Sequence, residues 1–127
     1  MTNDPQQELF TALKLKIEAK GYKVFDSLPG EEEPYPFIFL GETQQIDKRT
    51  KTAIIGSVFQ NIQIWHTAKN RGTLSAMLLE VKQLCRDIKH TANFAWDVQD
   101  ISGTIRNDKT TATPLIFANI NIEFTFS

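Results

Sequence analysis

The sequence predicts an α+β fold: a mostly antiparallel, four-stranded sheet, with a fifth short strand as an option, two helices packed on one face, and a long hairpin loop. Two observations carry this prediction. Two segments place apolar residues at helical spacing, and four others alternate or run apolar as strands do. The 127 residues, 41% hydrophobic and 23% charged, suit one globular domain that buries its own core. We therefore expect a single domain over residues 1–127, with an extended loop at about 43–55.

The first helix is predicted over Pro5–Lys20. Asp4 precedes a proline, which is a typical N-cap arrangement, and Gln7 stands where the reciprocal partner of a capping box belongs. Gly21 suits the position just past the helix end. The apolar stripe of this helix consists of Leu9, Ala12, Leu13 and Ile17.

A second helix begins in the stretch NRGTL, with either Asn70 or Thr73 as its cap. The one cysteine of the chain, Cys85, lies on its apolar face, where a buried small hydrophobe is the expected role. A lone cysteine also excludes an internal disulfide and a cysteine-based zinc site. The residues at helical spacing are Leu74, Met77, Leu78, Val81, Leu84, Cys85 and Ile88.

The stretch PYPFIFLGE contains the first long strand, predicted as Phe37–Glu42, after a short strand that could span Tyr22–Asp26. Pro36 has no N–H to donate and therefore belongs at the beginning of the strand. The uninterrupted apolar run Phe37–Leu40 predicts cover on both faces of the sheet, from this chain or from another subunit.

A polar segment, Thr43–Ala53, follows this strand and is long for a hairpin connection. Two interpretations stay open. It is either a mobile, solvated loop or an arm that orders against a neighbouring subunit or partner. Its mildly basic end contains Asp47, Lys48, Arg49 and Lys51.

Three further strands are predicted. A bulge is expected near Gln99 and Asp100, because the apolar alternation changes phase there. The last strand alternates from Ile116 to Phe126 without a break, so we expect it to be central or fully paired. One sheet face then carries a mixture typical of protein interfaces: Phe59, Trp65, Leu115 and Phe117 among Asn61, Gln63, Asn119, Asn121 and Glu123.

No pattern of catalytic or ligand-binding residues is evident. His66 ends a predicted strand, and it is not joined to Cys85 or to the carboxylates Asp97 and Asp100 at a recognised spacing. Phosphate loops, nucleophile elbows and metal motifs are absent from the sequence. We therefore predict a protein that is not an enzyme, with no catalytic, cofactor-binding or metal residues. The alternative is a small enzyme or ligand-binding domain that uses His66, Asp97 and Asp100 in one pocket.

The net charge and the hydropathy of the sequence limit the kinds of partner that the protein is expected to have. The net charge of −1 gives no general affinity for nucleic acid. The N-terminal stretch MTNDPQQELF lacks the basic and then apolar pattern of a signal peptide, and no apolar run approaches the length that crosses a bilayer. We expect synthesis in the cytoplasm and no membrane partner.

Three stretches carry a resemblance to a known family: PYPFIFLGE with the polar segment after it, QNIQIWHT, and the helix after NRG. They cover roughly Tyr35 to Ile88. Over this range the chain resembles the small tail-terminator or tail-completion proteins of long-tailed phages of the siphophage type. The Pro-aromatic-Pro sequence, Trp65 and the RG at the helix start are the distinctive parts. Another phage neck or head-completion protein could share them.

The resemblance implies a homo-oligomeric ring, typically a hexamer, that caps the tail tube and joins it to a head-completion or connector protein. DNA would pass through the ring without sequence-specific binding, in a virion assembled in the bacterial cytoplasm. Trp65 is the first candidate for a subunit contact, with a core role under a loop as its alternative. The full set of candidates for contacts with subunits, tail tube or neck is Phe37, Phe39, Gln44, Asp47, Lys48, Arg49, Lys51, Phe59, Trp65 and Phe117.

Overall fold

The structure is a computed structural model that describes residues 4–30, 32–49 and 54–127. These residues form one α+β domain with two helices and a five-stranded, mostly antiparallel sheet, as the sequence predicts. In chain order the elements are α1 (Pro5–Glu18), β1 (Val24–Phe25), β2 (Phe37–Arg49), β3 (Ile54–Thr67), α2 (Arg71–Arg86), β4 (Trp96–Asp108) and β5 (Leu115–Phe126).

Helix α1 lies close to its predicted bounds. Asp4 caps it by accepting a hydrogen bond from the Gln7 N–H at 3.1 Å. The Gln7 side chain does not complete a capping box, because its amide donates instead to Thr11 Oγ1, 3.2 Å away. The helix ends at Glu18, slightly earlier than predicted, and Gly21 then takes a φ of 93° that favours glycine.

Helix α2 follows a 3₁₀ turn over Ala68–Asn70. Asn70, one of the two predicted caps, is at the N-cap position, but its side chain donates to Thr67 Oγ1 at 2.5 Å and caps no helix N–H. The apolar face of α2 packs on the sheet as predicted. Cys85 on that face is fully buried.

The sheet has the strand order β1-β2-β3-β5-β4. Strand β5 is paired with β3 on one side and β4 on the other along its whole length, which confirms the prediction that this strand is fully paired. The predicted bulge also lies in β4, where the register with β5 shifts between Val98 and Asp100. Strand β1 is shorter than the predicted Tyr22–Asp26 and pairs with β2 in parallel.

The main departure from the predicted fold concerns the polar segment after PYPFIFLGE. Strand β2 does not end at Glu42 but continues to Arg49, paired with β3 from Thr43 onwards. Much of the predicted loop over 43–55 therefore extends the sheet: residues 43–49 of β2 pair with residues 54–60 of β3, and these two strand segments are called the arm below. Its β2 strand is polar in sequence because it is an edge strand with mostly exposed side chains, so no apolar alternation marks it.

A bulge joins the arm to the rest of β2. The register with β3 shifts just after Leu40. The side chain of Gln60, only 2% exposed, fills this place: its amide donates to the carbonyl of Asn61 at 2.8 Å and lies 3.4 and 3.5 Å from the carbonyls of Gly41 and Glu42. A buried amide is costly unless it is hydrogen-bonded, and this one is.

Both helices cover the same face of the sheet, as predicted. Helix α1 lies over β1 and β2, and α2 lies over β3, β4 and β5. One continuous core results, to which every helix and strand contributes. Its fully buried members include Leu9, Leu13, Ile17, Ile38, Ile62, Ile64, Leu74, Val81, Ile120 and Phe124.

A carboxylate ties α1 to the segment after α2. Glu8 accepts hydrogen bonds from Thr91 Oγ1 at 2.6 Å and from the Asn93 N–H and Nδ2 at 3.1 and 2.7 Å. Desolvation raises the pKa of Glu8, but the hydrogen bonds from Thr91 and Asn93 together outweigh it and hold the pKa below its usual value.

Replacing Glu8 with glutamine is expected to lower the free energy of unfolding by about 1 kcal/mol at neutral pH, because an amide accepts weaker hydrogen bonds and the site is partly solvated. The folded-state pKa of Glu8 is lower than the unfolded one. Its contribution is therefore full above about pH 4.5 and is lost as the pH falls through the folded pKa.

Urea unfolding at a series of pH values checks this prediction, and the wild type and the Glu8→Gln variant should converge in acid. Glu18→Gln, exposed at the end of the same helix, is the matched control and should change little. A Glu8 variant that is as destabilised in acid as at neutral pH contradicts the assignment.

Candidate interaction surface

The sheet face opposite the helices, called the outer face below, carries an aromatic cluster near the start of β2 and β5. Trp65 and Phe117 stack with ring centroids 4.5 Å apart. Phe37 stacks on Tyr35 at 5.4 Å and meets Phe25 edge-on at 5.7 Å. Phe37 is paired with Trp65, and Trp65 with Phe117, so the cluster crosses three adjacent strands. Three predicted interface residues are thereby brought together.

The side chains of the aromatic cluster largely shield one another from solvent. Phe37 is 5% exposed and Leu115 is 4% exposed, while Trp65 is partly buried. The Trp65 Nε1–H donates to Gln63 Oε1 at 3.0 Å, so its polar end is satisfied within the chain. The apolar run in β2 is covered on both faces as predicted, since Ile38 is buried under the helices and Phe37 within the cluster.

An amide network crosses the middle of the outer face. Asn61 Nδ2 donates to Asn119 Oδ1 at 2.8 Å and to Asn121 Oδ1 at 3.0 Å. Phe39, another predicted interface residue, is partly buried beside this network and is paired with Gln63. The network separates the aromatic cluster from the other half of the face.

That other half contains an exposed apolar patch. Ile46 is 48% exposed and Phe59 is 36% exposed. They lie on neighbouring strands, where Phe59 is paired with Gln44 and Ile46 with Ser57. A groove of about 300 Å³ runs beside Phe59, and its polar lining includes Glu42, Asn61, Asp100, Asn121 and Glu123.

Ile46 was not among the predicted interface residues. In the sequence it is a single apolar residue inside a segment expected as a loop, where side-chain direction is not defined. In a strand, alternation places Gln44, Ile46 and Lys48 on the same face as Phe59. One apolar residue among polar ones is a weak sign of a strand, so the sequence did not reveal this patch.

The predicted charged residues of the arm do not share one face. Lys48 and Asp47 are both exposed, and as consecutive strand residues they point to opposite faces, with Lys48 on the outer one. Arg49 ends β2. Lys51 lies outside the described residues.

In the catalytic alternative, His66 lies far from the two carboxylates. His66 is 8% exposed near the end of β3, whereas Asp97 and Asp100 are exposed near the beginning of β4. His66 is paired with Ile116 of β5, and Asp97 is paired with Thr125 of the same strand. At strand spacing, these two positions of β5 are roughly 30 Å apart. A pocket shared by these three side chains, as that alternative requires, is not formed.

His66 and Cys85 both have structural positions. The His66 Nδ1 accepts a hydrogen bond from the Thr67 N–H at 2.8 Å, and burial lowers the pKa of its imidazole, which favours the neutral form. Burial raises the pKa of the Cys85 thiol to about 12, against a lowering influence of Arg86. This agrees with the predicted buried hydrophobe and not with a reactive thiol.

The described part of the chain contains no metal-binding cluster and no helix that could cross a membrane. Within residues 4–30, 32–49 and 54–127, no group of three or more His, Cys, Asp or Glu side chains is placed to hold a metal ion. Over the same residues, neither helix combines the length and apolarity needed to cross a membrane.

Comparison with solved structures identifies the same fold elsewhere. A chain from the virion of a native gene transfer agent particle matches with a TM-score of 0.67 and 14% identity, over 95% of this chain and 94% of that one. The fold is shared with a chain of a virion. A second solved chain matches with a TM-score of 0.54 and 10% identity, over 98% and 97% of the two chains. No protein-family model and no curated protein matches the sequence.

Proposed function

We propose that the protein is a structural component of a phage-type virion and, within it, a tail-completion or tail-terminator protein. In this role it forms a ring, typically a hexamer, at the head-proximal end of the tail tube and joins the tail to a head-completion or connector protein. The observation that carries the proposal is the fold shared, over nearly the full length of both chains, with a chain of a gene transfer agent virion. The resemblance of PYPFIFLGE and QNIQIWHT to tail terminators supports the finer role.

Ring closure requires a heterologous contact, in which one patch of a subunit binds a different patch on the next. Ile46 and Phe59 supply the apolar part of one such patch, because they are exposed on the same half of the outer face. Because Ile46 and Phe59 are already partly buried, covering the rest of both side chains is worth about 1–3 kcal/mol before the entropic cost of association. A closed ring repeats this contact at every subunit.

The arm is placed to reach a neighbour. Asp47 is paired with Gly56 of β3, and Gly56 is paired on its other side with Phe126, the last residue of β5. Lys48 and Arg49 lie beyond that point and are paired with β3 alone. Lys48 and Arg49 therefore extend past the end of β5, where a subunit, the tail tube or the neck can contact them.

Passage of DNA through such a ring needs no tight binding. The net charge is −1, and the groove beside Phe59 is lined in part by Glu42 and Glu123, whose carboxylates repel phosphate. A surface of this kind gains little from counterion release and does not retain DNA. These features suit a conduit without sequence-specific contacts.

Electron microscopy of the concentrated protein, alone and mixed with tail tubes that lack their terminator, tests the proposal. Rings with a central channel and caps at one end of the tubes are expected. A protein that forms no ring at any concentration and binds neither end of the tubes contradicts the proposal. Binding to the head connector without binding to tubes would assign the protein to the neck or to head completion instead.

A further inference from the structure

Strand β4 leaves a row of backbone groups without a strand partner. It pairs with β5 along Trp96–Asp108, and in the described part of the chain no strand lies on its other side. Natural edge strands are usually protected by proline, lysine, bulges or a covering segment, because open edges pair with other chains. The stretch Asp100–Arg106 follows the bulge, pairs with β5 residue for residue, and contains no proline or lysine.

The hydrogen-bonding pattern shows which residues of β4 face the open edge. Ala95 and Ser127 exchange both of their backbone hydrogen bonds, at 2.9 and 3.1 Å. Antiparallel pairs alternate between hydrogen-bonded and non-hydrogen-bonded, so counting along β5 from Ser127 assigns Ile101, Gly103 and Ile105 to non-hydrogen-bonded pairs with β5. Their N–H and C=O groups therefore point to the open edge.

A local contact supports this orientation. The Ile101 N–H donates to the carboxylate of Asp100, its own neighbour, at 3.0 Å. A donor that uses a flexible, exposed carboxylate can exchange it for the carbonyl of an incoming strand without leaving a group unpaired.

We propose that two copies of this protein pair through β4, antiparallel about a two-fold axis at Gly103, and form one continuous sheet. In this register Ile101 faces Ile105 of the second copy. The outward groups of Ile101, Gly103 and Ile105 in both copies then form about six hydrogen bonds between the chains. The contact is isologous, so each pair other than the one on the axis occurs twice.

The side chains of this register complement each other. Asp100 faces Arg106 of the second copy, and Ser102 faces Thr104. All four are exposed and lie on the outer face, because they alternate with the half-buried Ile101 and Ile105. They also occupy the non-hydrogen-bonded positions of the new pair, where opposing side chains are closest.

Neighbouring registers that keep the hydrogen-bonding alternation are less favourable. Moving the axis by one residue toward the end of β4 sets Asp100 opposite Asp108 of the second copy, which places two negative charges together. Moving it one step the other way sets Arg106 against Val98 and carries the pairing into the bulge. Only the axis at Gly103 joins opposite charges at both ends of a regular stretch.

The other sheet edge is a poorer partner for β4. Strand β1 already occupies the edge of β2 beside Ile38 and Phe39. A strand of a second copy laid along the arm would run into β1 if it continued for the length of β4. Pairing of β4 with itself meets no such strand.

One feature next to the axis limits the affinity. Lys82 Cε and Leu78 Cδ1 of α2 lie 3.3 and 3.4 Å from the place that a Cβ on Gly103 would occupy. The two Lys82 side chains therefore approach each other across the axis, and their repulsion weakens the dimer. Lys82→Gln is expected to tighten it.

Sedimentation velocity, from micromolar to millimolar protein, tests the pairing. The wild type is expected to show a monomer–dimer equilibrium. Asp100→Arg and Arg106→Asp each set like charges against one another twice and should raise the dissociation constant about tenfold or more. The double variant D100R/R106D restores opposite charges in exchanged positions and should recover the wild-type constant. Asp97→Arg, before the bulge, is the matched control and should have no effect.

Cysteine pairs give a second readout that does not depend on charge. The variant S102C/T104C should form an interchain disulfide on mild oxidation, because opposed non-hydrogen-bonded positions have Cα atoms about 4.5 Å apart. Ser102→Cys alone should not, since the symmetry-related positions are offset along the strands. The native Cys85 is buried and adds no background.

A wild type that stays monomeric, or a double charge variant as weak as the single ones, overturns the pairing. Pairing through β4 is independent of the proposed virion role, because it involves neither Ile46 nor Phe59 and a dimer differs in mass from a ring. Rings or tube caps without dimers contradict only the β4 pairing. Dimers without rings or tube binding contradict only the tail-completion role.

Discussion

Replacing Trp96 with alanine is expected to lower the free energy of unfolding by about 3–5 kcal/mol. The side chain is 3% exposed and packs against the rings of Phe94, Phe124 and Phe126, with centroid distances of 6.2, 6.2 and 5.5 Å. Its Nε1–H also donates to Thr91 Oγ1 at 2.9 Å. Alanine would leave a cavity among these rings and remove that hydrogen bond. Urea unfolding followed by circular dichroism measures the loss.

The other tryptophan is the matched control. Trp65 is partly buried on the outer face and stacks on Phe117, so Trp65→Ala should cost less, about 1–2 kcal/mol. Trp96→Phe, which keeps most of the volume, should cost less than about 1.5 kcal/mol. Equal losses for the two alanine variants would contradict the assignment of Trp96 to the core and Trp65 to the outer face.

Replacing Ile46 with aspartate is expected to abolish ring formation and tube capping, with association weakened about a hundredfold or more. The change removes an apolar contact and would require a charge to be desolvated in the interface. The monomer should stay folded and lose only about 1 kcal/mol of stability, because Ile46 is 48% exposed and aspartate is a poor strand former. Electron microscopy and a tube-binding assay measure the first effect, and thermal unfolding measures the second.

Two further variants make this result decisive. Phe59→Asp alters the same patch from the neighbouring strand and should act in the same direction. Leu79→Asp introduces the same charge on α2, where the side chain is 70% exposed on the helical side, and should leave assembly unchanged. If the Ile46 and Phe59 variants assemble normally and Leu79→Asp does not, the interface lies on the helices.

The parts of the fold that bury one clear face could be predicted from the sequence. The stripe of α2 and the unbroken alternation of β5 follow directly from burial against one core, and both elements are found where they were expected. The bulge near Asp100 could also be predicted, because a bulge leaves a phase change in the apolar pattern.

The arm and the accessible patch could not be predicted for the opposite reason. The β2 strand of the arm is an edge strand with mostly exposed side chains, so the stretch TQQIDKR has no apolar period to reveal it. The burial of Phe37 depends on Tyr35 and Phe25, which approach it only through the turn before β2 and the parallel pairing of β1. Sequence spacing alone does not encode such contacts.

The buried amide at the bulge of β2 has a mechanical consequence. Slipping β2 against β3 by one residue would separate the Gln60 amide from the carbonyls of Gly41 and Glu42 and leave it only its hydrogen bond to Asn61, at a cost of about 1 kcal/mol. The register of the arm against the sheet is therefore fixed, and the arm differs from a flexible tether. A force applied at Lys48 is therefore transmitted through β3, which is paired with β5 from Gly56 onward.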